Sequence, residues 1–109
     1  MGQALVRGWL DGGRAATSIR VVEPTAAGRA VARNLGVAAS ETVVTALAGF
    51  RADVVVLAVK PNQIASAIGQ CRDEVGAGAV WLSIAAGKTL VALGSGLPPG
   101  TAVVRAMPN

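Results

Sequence analysis

Between Asp53 and Pro61 the chain reads Asp-Val-Val-Val-Leu-Ala-Val-Lys-Pro. Six consecutive apolar residues, rich in valine and without polar alternation, predict a strand buried on both faces, a situation met in sheets flanked by helices. The run stops at Lys60 and a helix-starting proline, Pro61. In open α/β sheets, ligands bind beyond the carboxyl ends of such strands. Lys60 therefore reads in two ways, as a cation offered to a ligand or as a strand-end charge reaching into water.

The rest of the chain alternates in the same rhythm. Gly2 to Leu10, with Leu5 and Trp9 one turn apart, predicts a helix closed by Gly12 and Gly13. Ser18 to Glu23 is a short strand. Thr25 caps a helix running to Leu35, which Gly36 ends in a left-handed conformation. Val37 to Ala39 is a brief strand, and Ser40 is the expected cap of a helix carrying Val43, Val44 and Leu47. After Pro61, Ile64, Ile68, Cys71 and Val75 share one helical face, and Gly76 and Gly78 stop that helix. Ala79 to Ala86 is a second buried strand, a short helix follows Thr89, and Thr101 to Ala106 is the last strand. Strand and helix in alternation predict an α/β fold, a doubly wound parallel sheet with right-handed crossovers.

With 109 residues the chain has room for one domain, expected to span residues 1–109. No run approaches the length of a membrane span, and the first residues carry Gln3, Arg7 and Asp11, unlike a signal peptide. A single cysteine, Cys71, permits no internal disulfide, and a cytoplasmic location is expected. Without histidine the chain holds no Ser-His or Cys-His pair, and no catalytic or metal-ligating residue is expected in it. The net charge of +4 raises the question of nucleic acid. Its cations are dispersed, however, and only Trp9, Phe50 and Trp81 could stack on bases, so no nucleic-acid partner and no membrane partner are expected.

The front of the chain carries a partial motif. Met1-Gly2 followed by a helix, with Glu23 about twenty residues on at the end of the next strand, fits the tail of a Gly-x-Gly-x-x-Gly dinucleotide turn whose third glycine is Gly2. The helix amino terminus would then face the pyrophosphate. Taken alone, these two residues read more readily as a plain amino-terminal start.

Four segments together, Met-Gly-Gln-Ala-Leu at 1–5, Leu-Ala-Val-Lys-Pro at 57–61, Ser-Ile-Ala-Ala-Gly at 83–87 and Val-Arg-Ala-Met-Pro-Asn at 104–109, resemble the amino-terminal domain of pyrroline-5-carboxylate reductase. Their order and spacing match as well, and the resemblance covers essentially the whole chain. It implies a Rossmann-like domain, three-layered αβα, of an enzyme of proline biosynthesis that reduces 1-pyrroline-5-carboxylate to L-proline with NADPH or NADH. On the resemblance, the cofactor lies along Met1, Gly2, Glu23, Pro24, Ala58, Val59, Lys60, Pro61, Ala85, Ala86 and Gly87. Met107, Pro108 and Asn109 lie towards the substrate.

The resemblance also implies that a first strand and a carboxyl-terminal helical domain, which forms the homo-oligomer and much of the substrate site, are absent. The missing strand is central in the usual order, so the isolated chain is expected to be poorly stable and to bind dinucleotide weakly. Glu23 bears on the choice of cofactor. A carboxylate there accepts from the ribose 2′-hydroxyl of NAD and repels the 2′-phosphate of NADP, with Arg20 and Arg29 as possible compensating cations. Two other readings stay open: a different Rossmann dehydrogenase, for hydroxy acids or prephenate, and a non-catalytic nucleotide-binding module.

Overall fold

The structure, a computed structural model, describes residues 2–84 and 90–106. The chain divides into two compact units, 1–50 and 51–109, each with a parallel sheet and a hydrophobic cluster of its own.

In the first unit, α1 (Gly2–Asp11) buries Val6 against Ile19 and Val37, with Trp9 and Leu10 packed beside them. Gly13, at φ +95°, takes the left-handed turn that a side chain would resist. A 3-10 turn (Ala16–Ser18) leads into β1 (Arg20–Val22). Helix α2 (Ala26–Asn34) begins at Thr25, whose hydroxyl accepts from the Gly28 N–H at 3.0 Å. It ends in a Schellman motif: Gly36 at φ +85° donates to Arg33, and Val37 donates to Ala32. These bonds use carbonyls that the helix itself leaves unpaired. The chain then enters β2 (Ala38–Ser40), parallel to β1 with Val21 opposite Ala39.

Helix α3 (Val43–Ala46) is capped by Thr42, whose hydroxyl accepts from the Thr45 N–H. The expected cap, Ser40, instead belongs to the sheet: it ends β2, and its carbonyl accepts the Glu23 N–H at 2.9 Å. A residue held in the ladder leaves capping to the next hydroxyl along the chain.

The second unit contains β3 (Val54–Leu57), a 3-10 turn (Pro61–Gln63), α4 (Ile64–Cys71), β4 (Val80–Ser83), α5 (Leu90–Gly94) and β5 (Val103–Arg105). Its strands are all parallel, in the order β3-β4-β5. Leu57, Ile64, Ile68, Trp81, Leu93 and Leu97 form the core, with Val55, Val59, Cys71 and Val75 packed around it. Burying each large apolar side chain contributes about 1.5–3 kcal/mol, so this cluster is the unit's main source of cohesion. The four residues predicted to share one face of a helix all reach the core, although the helix ends at Cys71 and Val75 arrives by a following turn.

The expectation for β3 is corrected. The strand is four residues long, and only Leu57 is buried. Val54 is 54% exposed. The cause is position: among the described strands β3 pairs with β4 alone, so it lies at an edge of its sheet. Trp81, weighed above as a stacking platform, is 4% exposed and belongs to the core. Among the described residues, no helix is long and apolar enough to cross a membrane.

Candidate functional site

Parallel strands put all their carboxyl ends on one edge of a sheet, and among the described residues Glu23 and Pro24 follow that end of β1 and Ala58 to Pro61 that end of β3. In the first unit β1 runs out at Val22 into Glu23 and Pro24. Glu23 is half-buried. Its side chain folds over the start of α2, where Oε1 accepts from the Thr25 N–H at 3.0 Å and from the Thr25 hydroxyl at 2.9 Å. Arg29 holds the same turn from its other side, with Nη1 donating to the carbonyls of Glu23 (2.9 Å) and Pro24 (2.8 Å).

Of the two arginines considered as compensating cations, only Arg29 stands at this strand end. Arg20 opens β1 at the opposite end, stacked 4.9 Å over the Phe50 ring and donating to the Ala46 carbonyl at 3.3 Å. A strand rises about 3.3 Å per residue, so three residues separate Arg20 from the Glu23 end by about 10 Å.

Gly2 is the first residue of α1, and the first turn of that helix carries no acidic side chain. An amino-terminal turn free of carboxylates keeps its exposed N–H groups and positive dipole end available to an anion.

In the second unit, Leu57, Ser83 and Arg105 end β3, β4 and β5 at matching register. The chain leaves the sheet at Ala58, Ile84 and Ala106 on one edge, where Ile84 donates to the Leu57 carbonyl and Ala106 to that of Ser83. Beyond Leu57 the side chains divide. Val59 packs on the core, whereas Ala58, Lys60 and Pro61 are exposed.

Lys60 is the extended residue that precedes the 3-10 turn, with φ −63° and ψ 150° and Pro61 in the turn's first positions. Among the described residues its ammonium has no hydrogen-bond or ion-pair partner. Proline there fixes its own backbone and excludes helical geometry from the residue before it, so Lys60 stays extended at the edge. The other expected site residues, Met1, Ala85, Ala86, Gly87, Met107, Pro108 and Asn109, lie outside the described residues.

A shallow cleft of about 290 Å³ in this unit lies elsewhere. Arg72, Ala79, Trp81 and Thr101 are among its walls, which puts it at the amino ends of β4 and β5. Parallel α/β sheets bind at the other edge, and its size alone does not outweigh that.

Reasoning from sequence passed over Gly28. A glycine inside a helix costs about 1 kcal/mol relative to alanine, and here the reason is steric. A Cβ on Gly28 would collide with Glu23 Cγ, stand 2.6 Å from its Cδ and lie 2.9 Å from Thr25 Oγ1. An interior glycine three residues after a capping threonine was the available signal.

A family model described as "NADP oxidoreductase coenzyme F420-dependent" matches residues 1–87. The chain belongs to that family. Within the NADP oxidoreductase family its relatives are pyrroline-5-carboxylate reductases. The enzyme of Haemophilus influenzae is 37% identical over 109 residues, covering all of this chain and 40% of the relative. Pyrroline-5-carboxylate reductase 3 of Xenopus laevis is 46% identical over 56 residues, 51% of this chain and 20% of the relative. A solved pyrroline-5-carboxylate reductase from Coxiella burnetii superposes with a TM-score of 0.89 at 27% identity, over 99% of this chain and 40% of that one.

The chain thus has the parallel α/β fold of the Rossmann type and corresponds to the amino-terminal part of these reductases. It spans about 40% of the length of the relatives it matches from end to end. Membership of the NADP oxidoreductase family implies a nicotinamide or F420-type nucleotide cofactor. In the first unit the described residues suit the nucleotide end of such a group, with a helix start at Gly2 whose first turn carries no carboxylate and a carboxylate at the end of β1; the second unit, taken by itself, offers a cation at the end of β3.

Proposed function

We propose that this chain is the cofactor-binding part of an oxidoreductase that reduces 1-pyrroline-5-carboxylate to L-proline with NADH or NADPH. The observation that carries this reading is the similarity to pyrroline-5-carboxylate reductases along the entire chain. The cofactor supplies a hydride. The chain's own residues bind and orient it.

The start of α1 at Gly2 receives the pyrophosphate, where unpaired N–H groups and the helix dipole favour negative charge. Glu23, beside Pro24, accepts from the adenosine ribose, and its charge favours NADH over NADPH. Lys60 adds a positive field at the end of β3, and the small Ala58 leaves backbone room beside it. Met1 and Val59 line the approach, Pro61 holds Lys60 extended, and Ala85, Ala86 and Gly87 let a flat ring come close to backbone. Met107, Pro108 and Asn109 are assigned to the substrate side. On this reading the rest of the substrate site and any homo-oligomer contact belong to the part of the relatives that the chain does not match. A reducing cytoplasm suits the single cysteine.

The test is a chimera in which this chain replaces the segment that it matches in the Haemophilus influenzae enzyme, with the rest of that enzyme kept. Oxidation of NADH or NADPH that depends on 1-pyrroline-5-carboxylate is the expected result. A folded chimera that binds neither nucleotide would refute the assignment.

A further inference from the structure

The side chain of Glu23 occupies the space that any residue larger than glycine would need at position 28. Its carboxylate is also bound twice through Oε1 to Thr25, by the backbone N–H and by the hydroxyl. That hydroxyl in turn accepts from the Gly28 N–H at 3.0 Å. The three residues therefore form a closed set: Thr25 anchors the carboxylate, and Gly28, lacking a Cβ, gives it room to lie down. Among the described residues, Oε2 has no hydrogen-bond partner.

We propose that Gly28 is a positioning residue for dinucleotide selectivity, because it seats the Glu23 carboxylate with one oxygen fixed and the other presented at the end of β1. The proposal rests on the reading of that strand end as the site of the adenosine ribose. A seated carboxylate offers Oε2 to a 2′-hydroxyl in a fixed direction and holds its charge where a 2′-phosphate would have to sit. Unseated, the same side chain swings into water. The hydrogen bond is then lost to rotamer freedom, and the repulsion is screened.

The substitution that tests this is mild for the helix. Gly28→Ala lies inside α2, where alanine is the better helix former, and no left-handed φ is involved. The new methyl group meets the flexible Glu23 side chain most closely and the Thr25 hydroxyl next, at 2.9 Å, so the Glu23 rotamer yields while the capping hydroxyl has to move only slightly.

The experiment uses the chimera described under Proposed function, with this chain as wild type, Glu23→Ser, Gly28→Ala and the double variant, and with NADH and NADPH as probes. Two quantities are read: the ratio of dissociation constants for NADPH and NADH, and the pH titration of the Thr25 amide resonance. In the wild type that amide should follow protonation of the carboxylate it binds, and in Gly28→Ala it should cease to. The ratio should fall on the order of tenfold in Gly28→Ala, the scale of repulsion between a carboxylate and a phosphate about 5 Å apart in a near-aqueous medium. In the Glu23→Ser background, Gly28→Ala should leave the ratio unchanged, since nothing remains to be seated.

A Thr25 amide that still titrates in Gly28→Ala overturns the seat itself. Loss of that titration with an unchanged ratio, while Glu23→Ser does shift the ratio, overturns the role in selectivity and leaves the dinucleotide reading standing. An unchanged ratio in Glu23→Ser overturns both.

Discussion

Replacing Ile68 by alanine removes Cγ1, Cγ2 and Cδ1 from the middle of the second unit's core. Ile68 is 3% exposed and shares its cluster with Leu57, Ile64, Trp81, Leu93 and Leu97. At about 0.8 kcal/mol for each buried carbon, the transfer loss is about 2.4 kcal/mol. The cavity left behind brings the total to about 3–4 kcal/mol, while Ile68→Val should cost only about 1 kcal/mol. Against the ~5–15 kcal/mol typical of a domain this is a large fraction.

The neighbouring glycine supplies an internal control. A Cβ on Gly96 would stand 3.1 Å from Ile68 Cγ2, so Gly96→Ala alone overpacks the site at a cost of about 1 kcal/mol. Once Ile68 is alanine the clash is gone and the added methyl fills part of the void. The two changes should then be coupled by at least about 1 kcal/mol in the favourable direction.

Urea titration followed by Trp81 fluorescence, in a Trp9→Phe background so that only the second unit's core reports, measures all four corners of the cycle. A loss below about 1 kcal/mol for Ile68→Ala at unchanged m, or strict additivity with Gly96→Ala, would refute the packing described for this core.

Two further outcomes are expected. Burial pushes the Cys71 thiol up from its ordinary range. Alkylation of the folded chain should therefore rise only at pH values above the ~8.5 of an exposed cysteine. The folded state holds the proton that the unfolded chain releases, so stability should fall as pH rises from the unfolded pKa through the folded one; Cys71→Ser removes that slope, and a folded-state alkylation profile centred at or below ~8.5 would contradict it. Lys60→Glu should weaken NADH and NADPH alike, about fivefold at low salt and less at high salt, with the melting midpoint almost unmoved because the side chain is exposed. Equal affinities in wild type and variant would remove Lys60 from the site.

Where a local rule decided the structure, the sequence was readable. Thr25 and Gly36 bracket α2 because a hydroxyl cap and a left-handed glycine act through neighbouring atoms alone. The shared face of Ile64, Ile68 and Cys71 follows from helical periodicity, and alternating strand and helix led to parallel pairing. Where the outcome depended on pairing partners, reading failed. Ser40 and Thr42 are both good caps, and only the bond from Glu23 to the Ser40 carbonyl separates them.

The valine run says that β3 favours a strand, yet it says nothing about which neighbours the strand has, and so overstated its burial. The candidate site divides in the same way. Glu23 and Lys60 were visible as charges at strand ends. The intramolecular bonds of Glu23 and the commitment of Arg20 to Phe50 and Ala46 were not, because both are set by rotamers.

The edge position of β3 bears on how this chain behaves in concentrated solution. Among the described strands only β4 pairs with β3, and a valine-rich strand unpaired on its other side displays a ladder of amides and carbonyls that another chain can join, the geometry from which ordered aggregates grow. Asp53 and Lys60, both exposed, bracket the run with opposite charges and act as gatekeepers against that pairing. Screening them with salt weakens the guard. The stretch that brings Lys60 to the ligand edge is thus also the one most exposed to self-association.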